Sequence, residues 1–181
     1  SFLLGAGLIF SIGILDDLRS LNPWVKLFGQ IAATAVACGL GDICIRTIAW
    51  PLGGALDLGW FSLPVTMFWF LIIINAINLV DGLDGLAGGI VFFASLVLMV
   101  LCLMNGNFIV ALWLSMVAGS CLGFLRYNFN PATIFMGDGG SYFLGYLMAS
   151  LSIMGFIKGQ TAVAFVIPLV ALGLPIFDTL L

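Results

Sequence analysis

Residues 62–80 read SLPVTMFWFLIIINAINLV, an apolar run without a single charged side chain. No other feature constrains the fold as much. The hydrocarbon core of a bilayer is about 30 Å thick, and an α-helix needs about 20 residues to cross it. Six further apolar segments follow the same pattern, at roughly 1–15, 24–41, 87–104, 108–127, 141–156 and 162–178. Backbone polar groups in lipid must be satisfied within the element, so these segments are expected as helices. Barrel strands would show about ten residues of apolar–polar alternation each, and no segment does. The expectation is an all-α fold, a polytopic integral membrane helical bundle with about seven apolar helical segments, forming one membrane domain over 1–181.

Composition supports the lipid reading. Hydrophobic residues make up 63% of the 181 positions and charged residues only 7%, against about 25% charged in a soluble domain. A soluble domain of this size has too much surface to hide so much apolar side chain. All eight acids are Asp, with no Glu, and there is no His. The net charge of −3 argues against nucleic acid, which requires a basic stripe. Cys38, Cys44, Cys102 and Cys121 are scattered without metal-ligand spacing and read as small hydrophobes.

If every segment spans, the connectors alternate between two sides. Side one then holds Asp16, Asp17, Asp81, Asp84, Asp138 and Asp178, while Asp42 and Asp57 fall on side two. Six of the eight acids on one side imply a shared acidic site at a membrane boundary. Arg19, Lys26 and Arg126 lie on or near side one, against Arg46 and Lys158 on side two. That balance favours side one as cytoplasmic. The 42–60 loop, broken by PLGG, is expected as a small hairpin or re-entrant cap, with Trp50, Trp60 and Phe61 suited to the interface. Ala118-Gly119-Ser120 and Gly145 are expected at helix contacts, where small residues let backbones approach.

Four polar clusters could carry chemistry. Asp16-Asp17 places two like charges at a helix end, and one carboxyl needs a nearby cation or a raised pKa. In NAINLVDGLDGLAGG (75–89), Asn75, Asn78, Asp81 and, more loosely, Asp84 recur at a spacing of three, so they are expected on one helix face. Polar groups at that depth should face the bundle interior. In NPATIFMGDGGS (130–141), glycines surround Asp138. Backbone N–H groups there could cradle a phosphate, Phe135 could stack on a flat ring, and Ser141 could cap the next helix. Arg126 is the candidate cation of this region. The fourth cluster is Asp178, beyond Pro175. So many carboxylates cannot take an anionic substrate directly but can do so through Mg²⁺ or Mn²⁺. Phosphoryl chemistry then requires positioning and charge neutralisation. Divalent-cation transport remains open on these residues alone, although its acids should lie near mid-membrane.

The motifs GILDD (13–17), NAINLVDGLDGLAGG (75–89) and NPATIFMGDGGS (130–141) resemble, in order, those of the polyprenyl-phosphate N-acetylhexosamine-1-phosphate transferases. This membrane family includes phospho-MurNAc-pentapeptide translocase and the GlcNAc-1-phosphate transferases. PIFDT (175–179) and PLGGALDLGW (51–60) lean toward the GlcNAc-1-phosphate branch. The resemblance implies transfer of a sugar 1-phosphate from a UDP-N-acetylhexosamine to a polyprenyl phosphate such as undecaprenyl phosphate. UMP is released, Mg²⁺ is required, and the reaction runs at the cytoplasmic face of the cell membrane in a catalytic domain that can form a homodimer.

By the same resemblance Asp138 is a metal ligand with Asp81 on the metal side. Asp16, Asp17, Asp81 and Asp84 are catalytic candidates, and Asn75, Asn78, Asp84, Phe135 and Asp178 are substrate-binding candidates, to which the residues alone add the cation Arg126. The CDP-alcohol phosphotransferases also carry a DG-rich acidic motif, but Gly88 stands after Ala87 where they want Arg. The family's basic N-terminal element and its His- and Arg-rich loop after the last motif are not in this sequence. The chain is therefore expected to be a piece of a longer protein, truncated at both ends, with part of its diphosphate clamp elsewhere, and inactive by itself.

Overall fold

The computed structural model describes residues 2–49 and 55–156. These form α1 (Phe2–Arg19), α2 (Pro23–Gly41), a short hairpin of β1 (Thr47–Ala49) and β2 (Ala55–Asp57), a 3₁₀ turn at Gly59–Phe61, then α3 (Ser62–Val80), α4 (Leu86–Met104), α5 (Phe108–Asn128) and α6 (Gly137–Phe156). The described chain is a multi-span membrane helical bundle. Six α-helices are present among the described residues, where about seven apolar segments are expected along the chain. The seventh segment, 162–178, lies outside the described residues, and with it Asp178.

Four stretches are long and apolar enough to cross a membrane: Pro23–Gly41, Gly59–Val80, Leu86–Met104 and Phe108–Asn128. The other two helices fall short for physical reasons. α1 carries Asp16, Asp17 and Arg19 in its last turn. α6 is rich in Gly and Ser, and it is the helix the others wrap. It packs chiefly on α1 and α3 and more lightly on α4 and α5. Tyr142, Tyr146, Ala149 and Leu151 are all buried, so α6 meets protein where the outer helices meet lipid. Large exposed apolar side chains such as Leu4, Phe28, Phe68, Phe93 and Leu112 lie on those outer helices.

Glycine sets the closest helix approaches. A Cβ on Gly145 would stand 2.6 Å from the Ile74 Cα, and one on Gly13 would stand 2.5 Å from the Gly139 Cα. α6 therefore lies directly against the backbones of α3 and α1. Gly145 is at a helix contact as its sequence suggests. Gly119 is not, since nothing lies within 4 Å of a Cβ built there.

Side-chain caps fix the helix ends. Asn22 accepts from the Trp24 N–H at 3.0 Å, with Pro23 opening α2, a favourable pairing of N-cap and first residue. Asn107 caps α5 by accepting from the Val110 N–H, and it donates to the Met154 carbonyl on α6. The 42–60 loop forms a hairpin, with Thr47 opposite Asp57 and Ile48 opposite Leu56. Its base is held to α3, where Thr66 Oγ1 accepts from the Ile45 N–H and Ser62 Oγ donates to the Ile45 carbonyl. Arg46 pairs with Asp42 on this side of the bundle, so Asp42 and Asp57 stand apart from the other acids.

Candidate active site

The side-one ends of α1, α2, α3 and α6 meet in one polar cluster. Asp16 is the buried member of the first acidic pair, only 4% exposed. It accepts from the Leu21 N–H at 2.8 Å and from the Tyr142 hydroxyl at 3.4 Å. Lys26, in the second turn of α2, forms an ion pair with it and lies 3.6 Å from the Asp138 carboxylate. The Asp16 and Asp138 carboxyls are themselves within hydrogen-bonding reach. One ammonium thus sits between two carboxylates that would otherwise repel each other.

Asp17 points elsewhere. Its two oxygens accept from the Asp138 N–H at 2.8 Å and the Gly139 N–H at 2.9 Å. These are among the N–H groups that an α-helix leaves unpaired at its start. The turn into α6 is made by Gly137 at φ +69°, a conformation that suits glycine. The expected phosphate cradle is therefore partly filled: the Asp17 carboxylate from α1 takes two of these backbone donors.

Asn78 holds Asp138 from the α3 side, its Nδ2 donating to the carboxylate at 2.6 Å and to Ser141 Oγ at 2.9 Å. Ser141 lies inside α6 rather than capping it, and its hydroxyl donates to the Asp138 carbonyl. α3 ends at Val80, with Asp81 as its C-cap. Asp81 is half-buried beside Asp138 and Asp17. Burial first, and then those two negative charges, push its carboxyl up to about 6.

The proposed single face of the 75–84 stretch divides. Asn75 lies one turn deeper and is turned to α2, exchanging amide hydrogen bonds with the buried Gln30 at 2.8 and 3.4 Å. Asp84 lies beyond the helix in a turn, exposed, where it accepts from the Ala132 N–H at 3.0 Å. It ties that turn to the 130–136 loop. Phe135 is 72% exposed on the same loop. Arg126 is exposed in the last turn of α5 and pairs with no acid among the described residues. The cation in the cluster is Lys26, which sequence reasoning used only for orientation. Its place at the side-one start of α2, four residues after the Asn22 cap, was the available signal.

No group of three or more His, Cys, Asp or Glu side chains among the described residues forms a ready cage for a metal. Magnesium does not need one, because it is usually held by one or two carboxylates plus substrate phosphates. Asp138 and Asp81, whose charges influence each other, are the carboxylates that could hold it. Burial, and after it the charges of Asp138 and Asp17, raise the Asp81 carboxyl.

Residues 1–156 match the family model described as glycosyl transferase family 4. The chain belongs to this family of polyprenyl-phosphate sugar-1-phosphate transferases. It is 42% identical over 177 residues to the probable undecaprenyl-phosphate N-acetylglucosaminyl 1-phosphate transferase of Bacillus subtilis, covering 97% of this chain and 49% of that protein. It is 40% identical over 156 residues to the phospho-N-acetylmuramoyl-pentapeptide-transferase of Desulforamulus reducens, covering 78% of this chain and 46% of the relative. It is 36% identical over 170 residues to the decaprenyl-phosphate N-acetylglucosaminephosphotransferase of Mycobacterium leprae, covering 83% and 40%. The chain thus spans about half the length of the curated relatives it matches.

Proposed function

We propose that the protein containing this chain transfers an N-acetylhexosamine 1-phosphate, GlcNAc 1-phosphate first, from its UDP derivative to a polyprenyl phosphate. The products are the polyprenyl-diphospho-sugar and UMP, and the site faces the cytoplasm. The observation that carries the reading is the convergence of Asp16, Lys26, Asn78, Asp81 and Asp138 at one end of a membrane bundle. A site at the edge of the bilayer suits one lipid-borne and one soluble substrate.

The chemistry follows from the side chains. Asp138 and Asp81 would hold Mg²⁺, which would supply charge neutralisation for a diphosphate bound there. Asn78 fixes the Asp138 carboxylate through a 2.6 Å hydrogen bond. Lys26 pairs with Asp16 and stands 3.6 Å from Asp138, offsetting part of their mutual repulsion. Neither member of the Asp16-Asp17 pair is an unengaged base, since one is ion-paired and buried and the other accepts two backbone N–H groups. The reaction need not have one. A phosphate monoester has a second pKa of about 6, so the lipid phosphate is largely a dianion at neutral pH and can attack as it stands. Asp84 and Phe135 are exposed, on the turn after α3 and on the 130–136 loop that Asp84 binds, where a soluble nucleotide could reach them.

The decisive experiment follows radiolabelled sugar 1-phosphate from UDP-GlcNAc to undecaprenyl phosphate, with the full-length protein in membranes, with and without Mg²⁺. Magnesium-dependent labelled lipid and UMP release are expected, with D138N lacking both. Full activity in D138N, or transfer that ignores Mg²⁺, would overturn the assignment of Asp138.

A further inference from the structure

Asp17 lies next to Asp16 in sequence, yet the two do different work. Asp16 is buried against Lys26, whereas Asp17 is exposed and reaches across to α6. Its carboxylate accepts from two consecutive backbone N–H groups, those of Asp138 and Gly139, 121 and 122 residues away. N-caps are ordinarily supplied by the residue preceding the helix. At α6 that place falls to Met136, whose thioether is only a weak acceptor, and the cap comes from another helix instead.

We propose that Asp17 is a positioning residue: a cross-helix cap that fixes the N-terminus of α6, and so places the Asp138 carboxylate, rather than a base that touches substrate. Three observations converge. The residue whose N–H is capped is Asp138 itself, so the cap acts one residue's backbone away from the group it positions. The approach is tight, since a Cβ on Gly137 would stand 2.9 Å from the Asp17 Oδ2, and one on Gly139 would stand 3.3 Å from it. The same two helices touch one turn earlier, where Gly13 lies against the Asp138–Gly139 backbone. Gly13 and Asp17 are four apart and so lie on one face of α1; that face grips the first turn of α6 at two levels. A negative charge at a helix N-terminus is also favourable to the helix dipole.

The inference rests on the proposed transferase reading for its activity arm, and on the fold alone for its stability arm. The test compares D17N and D17A in the full-length protein. Asn keeps an acceptor oxygen for the cap but cannot serve as a base, whereas Ala keeps neither. D17A is expected to lower the melting temperature by about 2–8 °C, to raise the Mg²⁺ concentration for half-maximal transfer, and to cut kcat by about 10–100-fold. D17N keeps one of the two cap bonds and turns an NH₂ toward the second N–H, so it is expected to recover part of the melting temperature and of the Mg²⁺ dependence, lying between D17A and the wild type.

A D17N protein as inactive as D17A, at wild-type melting temperature and unchanged Mg²⁺ dependence, overturns the proposal and returns Asp17 to the chemistry. If D17A does not accumulate in membranes, D17N decides by the same criteria. If the wild-type protein transfers no sugar phosphate, the transferase reading fails, and the order of melting temperatures still decides the cap. D17A melting with the wild type would overturn it.

Discussion

The Lys26 ammonium on α2 pairs with the buried Asp16 carboxylate on α1 and stands 3.6 Å from Asp138 on α6. One cation thus joins three helices at the end where the acids gather. Removing one partner of a buried pair leaves the other charge uncompensated, which typically costs about 3–5 kcal/mol. Lys26 keeps 28% of its side chain exposed, so K26M should fall at or below the lower end of that range. Thermal unfolding in detergent should show the loss. The K26M/D16N double variant should regain much of the stability while remaining inactive in transfer. A double variant no more stable than K26M would mean that the pair is not what holds α1 to α2.

Helix contacts give a second test with an internal control. G13A places a methyl 2.5 Å from the Gly139 Cα and G145A places one 2.6 Å from the Ile74 Cα. Backbone cannot yield as a side-chain tip can, so each change should destabilise by about 1–3 kcal/mol. G119A meets nothing within 4 Å, and replacing glycine by alanine in a helix should gain up to about 1 kcal/mol. Melting temperatures of the three variants in one detergent check the order, with G119A at or above the wild type.

Asp81 supplies a pH dependence with a definite sign. Its carboxyl is pushed up to about 6 by burial and by the charges of Asp138 and Asp17, above the unfolded value of about 3.9. Between those values the folded protein binds more protons than the unfolded chain. Its contribution to stability is therefore fully present below about 4 and is lost as pH rises through about 6. In metal-free buffer D81N should remove this part of the pH dependence, measured as the difference between two stability–pH curves. Magnesium should move the Asp81 midpoint downward in carboxyl-carbon NMR. A midpoint near 4 without metal would show that neither burial nor the charges of Asp138 and Asp17 raise this carboxyl.

Much of this molecule was legible because lipid imposes simple rules. Runs such as 62–80 and 87–104 announced helices, and connector parity gathered Asp16, Asp17, Asp81 and Asp138 at one end, where they meet. α6 was harder to place as the central helix, because a segment wrapped by protein needs small residues such as Gly145 rather than a lipid-facing surface. The cap from Asp17 to α6 joins residues 121 apart, a tertiary relationship that no local spacing encodes. Lys26 read as a topology signal because a single lysine at a helix start ordinarily snorkels to the interface. Its role depends on the buried Asp16 that α1 brings to it. The spacing of Asn75 and Asn78 suggested one shared face, but one turn of depth turned the first to α2 and the second to α6.

That division between the two asparagines predicts a division of phenotype. Asn75 pairs with Gln30, which is 1% exposed. N75A leaves a buried amide without its partner, which costs about 1–3 kcal/mol, while the acidic cluster one turn away keeps all its hydrogen bonds. Q30L/N75L removes both amides and should be closer to neutral than N75A, since apolar replacement of both partners leaves no polar group stranded. Asn78 instead orients Asp138 and Ser141. N78A should lower transfer activity by about 10–100-fold, the usual effect of losing a group that orients a metal ligand, with a smaller change in melting temperature than N75A. Activity and unfolding measured on the same preparations separate the two. Equal loss of activity in N75A and N78A at equal stability would place Asn75 in the substrate site and contradict the division drawn from their hydrogen bonds.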